Sequence, residues 1–303
     1  MKKIFCVLAV ILVSVLTACG GPKTYTLTYT ATEGGSIQGE ATQTVEEFGN
    51  GKAVTAVADE YYLFLYWSDG ITSPRRTDIG VEADVTVQAV FGVDESAVAK
   101  RDHAAFLATA DGEVVTVTGY IAAKQGWWNN QVVIYLLDVN SNGYYVYNLP
   151  CTEEQNNTDL AIGNHVSITG TKGSWAGEVE ILGQEGAGAT YTVLEGTKTD
   201  FTPIAVTLAD NLEAIMNGYF TVSKVEVVAA PTFQNDNNTG DIYFTVKDAE
   251  GNTMDCCIES YLTGTSTDVY QAAAALQAGD VVTLTGYMYW YNGANPHITK
   301  IAK

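Results

Sequence analysis

Few side chains of this chain are spaced for chemistry. The three histidines, His103, His165 and His297, fall in separate stretches, and none sits with a Ser or Cys motif of an activated nucleophile. Nor do they have the spacing of a metal set. Acidic residues are plentiful but scattered, so no general acid–base pair stands out. One oxygen-rich turn, Asp138-Val139-Asn140-Ser141-Asn142-Gly143, carries the first half of a calcium-loop pattern, with Asp138, Asn140 and Asn142 as candidate ligands. Its twelfth position is Leu149, where a bidentate glutamate belongs, and the flanks read as strands, so the stretch reads as a hairpin turn. Asn235 to Asp241 is equally rich in oxygen. No catalytic residue, resident metal or cofactor is expected, and the chain reads as a non-enzyme.

Aromatic side chains offer more. Trp127 and Trp128 fall in a turn between two strands, and Tyr287, Tyr289 and Tyr291 alternate along another. If Val282, Leu284 and Gly286 face a core, Met288 and Trp290 do too, and the three tyrosines share the opposite face. Such a row stacks on sugars or peptides without needing charge, or else packs one domain on the next. These five residues are the candidate ligand-binding set.

Charge narrows the partner. The chain carries 15 basic and 35 acidic residues, a net −20, and residues 19–303 alone carry −22. Residues 111–199 hold Lys124, Lys172 and Lys198 against ten acids, and residues 200–303 hold four lysines against twelve. Phosphate contacts supply most non-specific affinity for nucleic acid, so this balance argues against that partner. A neutral glycan, a peptide or a protein suits it better; a purely structural stalk is the alternative.

The N-terminus supplies an address. Lys2 and Lys3 precede an apolar run from Ile4 to Leu16, the anatomy of a secretory signal and too short for a comfortable span. The closing Leu16-Thr17-Ala18-Cys19 resembles the lipobox of bacterial lipoprotein precursors. That resemblance implies cleavage after residue 18, lipid on Cys19, and a chain tethered to the outer face of a bacterial membrane by its acyl chains. Cys151, Cys256 and Cys257 then remain, an odd number, and adjacent strand residues point to opposite faces, so Cys256 and Cys257 should not bridge each other.

Abundant glycine and tyrosine, scarce proline and many short alternating runs predict a mainly β chain. After residues 1–18 (signal) and 19–23 (tether), the first unit covers 24–92. It alternates at Tyr25, Leu27 and Tyr29, turns at Glu33-Gly34-Gly35-Ser36, and passes through Tyr61-Tyr62-Leu63-Phe64-Leu65-Tyr66-Trp67-Ser68-Asp69-Gly70 to a closing strand over 85–91. The order of these marks resembles the divergent internalin B-repeat of bacterial surface proteins, which implies a small β-grasp-like module. Trp67 and Phe64 are expected in its core. Residues 93–110 are predicted to form a helical linker with Val98, Ala105 and Phe106 on one face, stopped at Asp111-Gly112.

Two related units follow, over 111–199 and 200–303. Leu160-x-x-Gly163-x-x-Val166-x-Ile168-x-Gly170 recurs 116 positions later as Leu276-x-x-Gly279-x-x-Val282-x-Leu284-x-Gly286. Upstream, residues 132–149 parallel 241–258 as strand, turn and strand, with Asp138 and Asp248 opening the turns. Downstream, Gly173 to Gly177 parallels Tyr289 to Gly293. This order, with an alternating strand that bends at glycine, resembles the OB-fold and implies two tandem OB-like β-barrels with short helices.

Overall fold

The computed structural model describes residues 21–183 and 188–303. The leader and Cys19 lie outside the described residues. The chain divides into two compact units, at Asp94 and Glu95.

The first unit is all strand among its described residues: β1 (Thr24–Ala31), β2 (Gly35–Gln38), β3 (Thr42–Glu46), β4 (Val54–Ala58), β5 (Tyr62–Trp67), β6 (Arg75–Arg76) and β7 (Val85–Val93). One sheet has the order β3-β1-β7-β5, with its first and last strands parallel at the centre as in a β-grasp, and β2-β4-β6 form a second. Alternation decides the faces: Leu27 and Tyr29 of β1 and Val87, Ala89 and Phe91 of β7 point into one core. Trp67 is wholly buried there, its Nε1–H donating to the Ser73 carbonyl at 3.0 Å. Phe64 packs edge-on against it. The buried Arg76 guanidinium lies over the Trp67 ring and is paired with Asp69 at 3.0 Å and Asp78 at 2.6 Å. Desolvation of that cation is offset by two carboxylates, so the Trp-Ser-Asp-Gly segment is structural.

The second unit opens with α1 (Glu95–Ala108) and continues through β8 (Val114–Lys124), β9 (Gln131–Leu137), β10 (Gly143–Pro150), α2 (Glu153–Asn157), β11 (Asn164–Trp175), β12 (Glu178–Leu182) and β13 (Thr190–Thr197). Strand β8 pairs with β9, β9 with β10, β10 in parallel with β12, β12 with β11, and β11 back with β8. That circuit closes a five-stranded barrel with OB-fold connectivity. Helix α1 is more than a linker. Phe106 enters the barrel core, and Lys172 donates to the Leu107 and Thr109 carbonyls at the helix's C-terminal end.

The circuit repeats after β14 (Ile204–Val206) and a 3-10 turn (Leu212–Ile215). Its strands are β15 (Tyr219–Val227), β17 (Thr239–Lys247), β18 (Thr253–Ile258), β19 (Val281–Tyr287) and β20 (His297–Ala302), with β16 (Thr232–Asn235) as an extra edge strand. Helices α3 (Ser260–Thr263) and α4 (Asp268–Ala274) sit where α2 sits in the first barrel. Strands β15-β17-β18-β20-β19 close on β15, again with one parallel pair, β18 and β20. The 116-residue repeat thus superposes the fourth strand of each barrel, β11 on β19. At Gly286 the β19–β20 register slips, and a Cβ would lie 2.2 Å from the His297 carbonyl oxygen, so the close approach of the two backbones there requires glycine.

Candidate functional site

Strand β9 is buried at all seven positions, because both of its faces are covered. Val132, Ile134 and Leu136 fill the first barrel, while Val133, Tyr135 and Leu137 join Tyr145 and Tyr287 in a second apolar cluster outside it. This is the seam between the barrels. Tyr135 stacks on Tyr287 at 4.5 Å between ring centres, and its hydroxyl lies 2.9 Å from His297 Nδ1. Tyr289 stacks on His297 at 4.3 Å and meets Tyr145 edge-on at 5.4 Å. The outer face of strands two and three, where OB-folds bind oligonucleotides and oligosaccharides, is therefore occupied in the first barrel by the second.

The oxygen-rich turn belongs to the same seam. Asp138 Oδ1 accepts from the Asn140 and Asn142 N–H groups at 2.8 and 3.0 Å, and Oδ2 accepts from the Asn142 amide at 2.9 Å. Asn140 donates to the Ser96 carbonyl at the start of α1. The Ser141 carbonyl accepts the Tyr219 N–H of the second barrel at 3.0 Å. A Cβ on Gly143 would fall 1.8 Å from the Asn217 carbonyl oxygen, so the backbones touch there. Each of these turn residues has a structural partner. Asp248 closes the equivalent turn of the second barrel through Glu250 and Asn252.

Where the seam opens to solvent it forms a cleft of about 580 Å³. The first barrel contributes Gln125, Tyr145 and Trp175, and the second supplies the rest. Trp175 and Tyr291, 57% and 51% exposed, stand 5.3 Å apart at the rim. They are equivalent positions of the internal repeat, 116 apart, brought face to face by the final hairpins of the two barrels. The Asn292 N–H donating to the Ala176 carbonyl at 2.7 Å fixes that meeting. Tyr289 lines the cleft further in, with Tyr243 and Asn295 on the second barrel's side.

The polar groups are acceptors and amides. Asp241 accepts from the Ser260 backbone and hydroxyl at 2.9 and 2.8 Å, and from the Tyr243 hydroxyl at 3.2 Å. Glu259 accepts from the Tyr261 N–H and the Gln125 amide, each at 3.1 Å. Burial pushes the Glu259 carboxyl up to about 7, with the Asp241 charge adding to it and the Tyr261 N–H opposing. Cys257 and His297 also line the cleft as neighbours across β18 and β20. Burial pushes the Cys257 thiol up and the His297 imidazole down to about 3. Both shifts favour the neutral pair, the reverse of an activated thiolate–imidazolium dyad. Cys151, Cys256 and Cys257 are all buried free thiols.

The five sequence-chosen aromatics separate here. Tyr289 and Tyr291 line the cleft, and Tyr287 lies behind it, buried in the seam. Trp127 packs on the first barrel's core with its Nε1–H donating to the Cys151 carbonyl at 3.0 Å. Trp128 is 69% exposed and its backbone pairs with Gln131 in the β8–β9 turn. Neither tryptophan lines the cleft. Trp175, Tyr243, Gln125 and Glu259 were not among the candidate residues, and Asp241 stood out only as the end of the oxygen-rich 235–241 stretch. Of the others, only Trp175 had a signal, its place opposite Tyr291 in the repeat.

Residues 25–95 match the divergent InlB B-repeat domain family. Similar solved structures include the p204 HINb domain, at 11% identity over 64% of this chain and 98% of that one, TM-score 0.29. A replication protein A heterotrimer bound to ssDNA matches at 10% identity over 64% of this chain and 51% of that one, TM-score 0.26. The single-stranded DNA binding protein from Thermus aquaticus matches at 12% over 64% and 96%, TM-score 0.20. The strand circuits themselves define the two OB-like barrels. No curated protein matches the chain. The chain is thus a mainly β protein with a divergent InlB B-repeat domain followed by two closed OB-like barrels, and no described helix is long and apolar enough to cross a membrane.

Proposed function

We propose that this chain is a non-catalytic binding protein of the bacterial surface, held by lipid on Cys19, whose inter-barrel cleft seats a neutral glycan. One observation carries the reading. A solvent-open cleft has aromatic rings on both walls and carboxylate and amide groups between them, with no Lys or Arg in its lining. Pyranose rings present C–H faces to aromatic planes and hydroxyls to acceptors, so both ligand surfaces find partners. The InlB B-repeat match supports a surface address and a spacer role for the first unit. Nucleic acid fits poorly. Asp241, Asp255 and Glu259 mark the second barrel's outer sheet face where phosphates would lie, and the first barrel's equivalent face is closed by the seam.

A neutral-glycan array probed with the mature chain tests the reading. Trp175→Ala and Tyr291→Ala should each weaken the best ligand about tenfold, roughly 1.4 kcal/mol, leaving the thermal midpoint unchanged because both side chains are half exposed. Absence of any glycan binding, or binding indifferent to both changes, refutes it. The anchor is tested separately. Cys19→Ala should move the protein from the membrane fraction to the soluble fraction, and retention on the membrane would overturn the lipid assignment.

A further inference from the structure

A second depression, of about 350 Å³, lies on the outer face of the second barrel and shares Tyr243 and Asn295 with the cleft. Resting on the glycan reading above, we infer that the site takes an extended neutral oligosaccharide, which passes from the inter-barrel cleft over Tyr243 into this second depression. Its ligand is a segment of a polysaccharide chain and not a single sugar or a chain end.

Three observations place the path. Tyr243 lines both hollows and is 38% exposed, so its side chain stands where one runs into the other. Beyond it on the same face of β17 comes Thr245, roughly 7 Å further along the strand, a step on the scale of one sugar ring. Thr245 donates to Asp255 Oδ1 at 2.6 Å across the β17–β18 pair, which leaves Oδ2 to accept a sugar hydroxyl. The far wall is Ala229, Ala230 and Thr232, all exposed and small. A polymer can therefore leave the depression as freely as it enters the cleft. The lining selects by charge as well. Asp241, Glu259 and Asp255 are spread through both hollows with no Lys or Arg beside them, so uronate, sulfate or phosphate substituents meet like charge.

The test titrates the full mature chain with cello-, laminari-, malto- and manno-oligosaccharides of one to six units by calorimetry. In the series that binds, affinity should rise at least tenfold from disaccharide to tetrasaccharide. Ala230→Arg, at an exposed position of the second depression, should return the tetrasaccharide to the disaccharide affinity and leave the disaccharide unchanged. A tetrasaccharide no tighter than the disaccharide, or one unaffected by Ala230→Arg, overturns the extended path while leaving the cleft as a glycan site. If no series binds at any length, the glycan reading itself falls and the inference with it.

Discussion

Tyr135→Ala is expected to uncouple the two barrels at a cost of about 3–5 kcal/mol, the range for deleting a buried aromatic side chain. Tyr135 is 1% exposed yet belongs to neither barrel's interior. Its ring stacks on Tyr287, tilts against Tyr145, and its hydroxyl is the partner of the buried His297 Nδ1. Removing it leaves a cavity in the seam and a buried ring nitrogen without a partner, while Val132, Ile134 and Leu136 still fill the first barrel. Far-UV circular dichroism should therefore persist, and urea unfolding should split into two transitions as the barrels lose their mutual support. Tyr135→Phe keeps the ring but still strips His297 Nδ1 of its partner, and should cost about 1–3 kcal/mol. Glycan affinity should fall with Tyr135→Ala because Tyr145 and Tyr289, which line the cleft, lean on this stack. A single transition at the parent midpoint would show that the seam is not held there.

The strand circuits were legible because their signals are local. Alternation sets which face of β1, β7 or β19 turns inward, Asp-initiated turns close the β9–β10 and β17–β18 hairpins, and Gly286 marks where the β19 and β20 backbones meet closely. The recurrence at 116 residues added the tandem arrangement. The role of α1 was less visible, since its docking depends on Phe106 entering a core and on Lys172, far along the chain, meeting its last carbonyls.

The site was only half legible, for a physical reason. A cleft between two domains is made of residues whose burial depends on docking, and no local pattern encodes docking. The continuous apolar run of β9 was the available hint, because a barrel strand with one wet face should alternate and this one does not. Alternation grouped Tyr287, Tyr289 and Tyr291; Tyr287 and Tyr289 join the seam cluster, and Tyr289 and Tyr291 line the cleft. Alternation could not say that the face descends from buried seam to open rim, so that three tyrosines at equal spacing acquire three different roles. Asp241 read as the end of an oxygen-rich turn and Glu259 as a scattered acid until β17 and the start of α3 placed them in one hollow.

Alkaline pH should loosen the seam through one carboxyl. Glu178 of β12 is wholly buried against the second barrel, with Oε2 accepting the Trp290 N–H at 2.7 Å. The Asn217 side chain lies against the same carboxyl, and its amide also donates to the Val179 carbonyl at 2.9 Å. A carboxylate buried this deeply is costly to ionise even with these two contacts, because it has left water. Burial accordingly pushes this carboxyl up to about 8, with the charge of Glu180 contributing and the Asn217 and Trp290 contacts opposing. An acid held above its ordinary value of 4.5 binds its proton more tightly when folded. Its contribution is therefore full below pH 4.5, declines as pH rises, and is gone once pH passes about 8, a loss on the order of a few kcal/mol. Glu259 has the same sign but is spent above about 7, and the depressed His297 contributes nothing further above its ordinary 6.5. Buried Cys256 and Cys257 begin to matter only near 9. Between pH 7 and 8.5 the slope thus belongs to Glu178. Glu178→Gln keeps an acceptor for the Trp290 N–H and removes the titrating proton. Its melting temperature should stay flat across that window while the parent falls by several degrees. Parallel curves for the two proteins would place the alkaline sensitivity elsewhere.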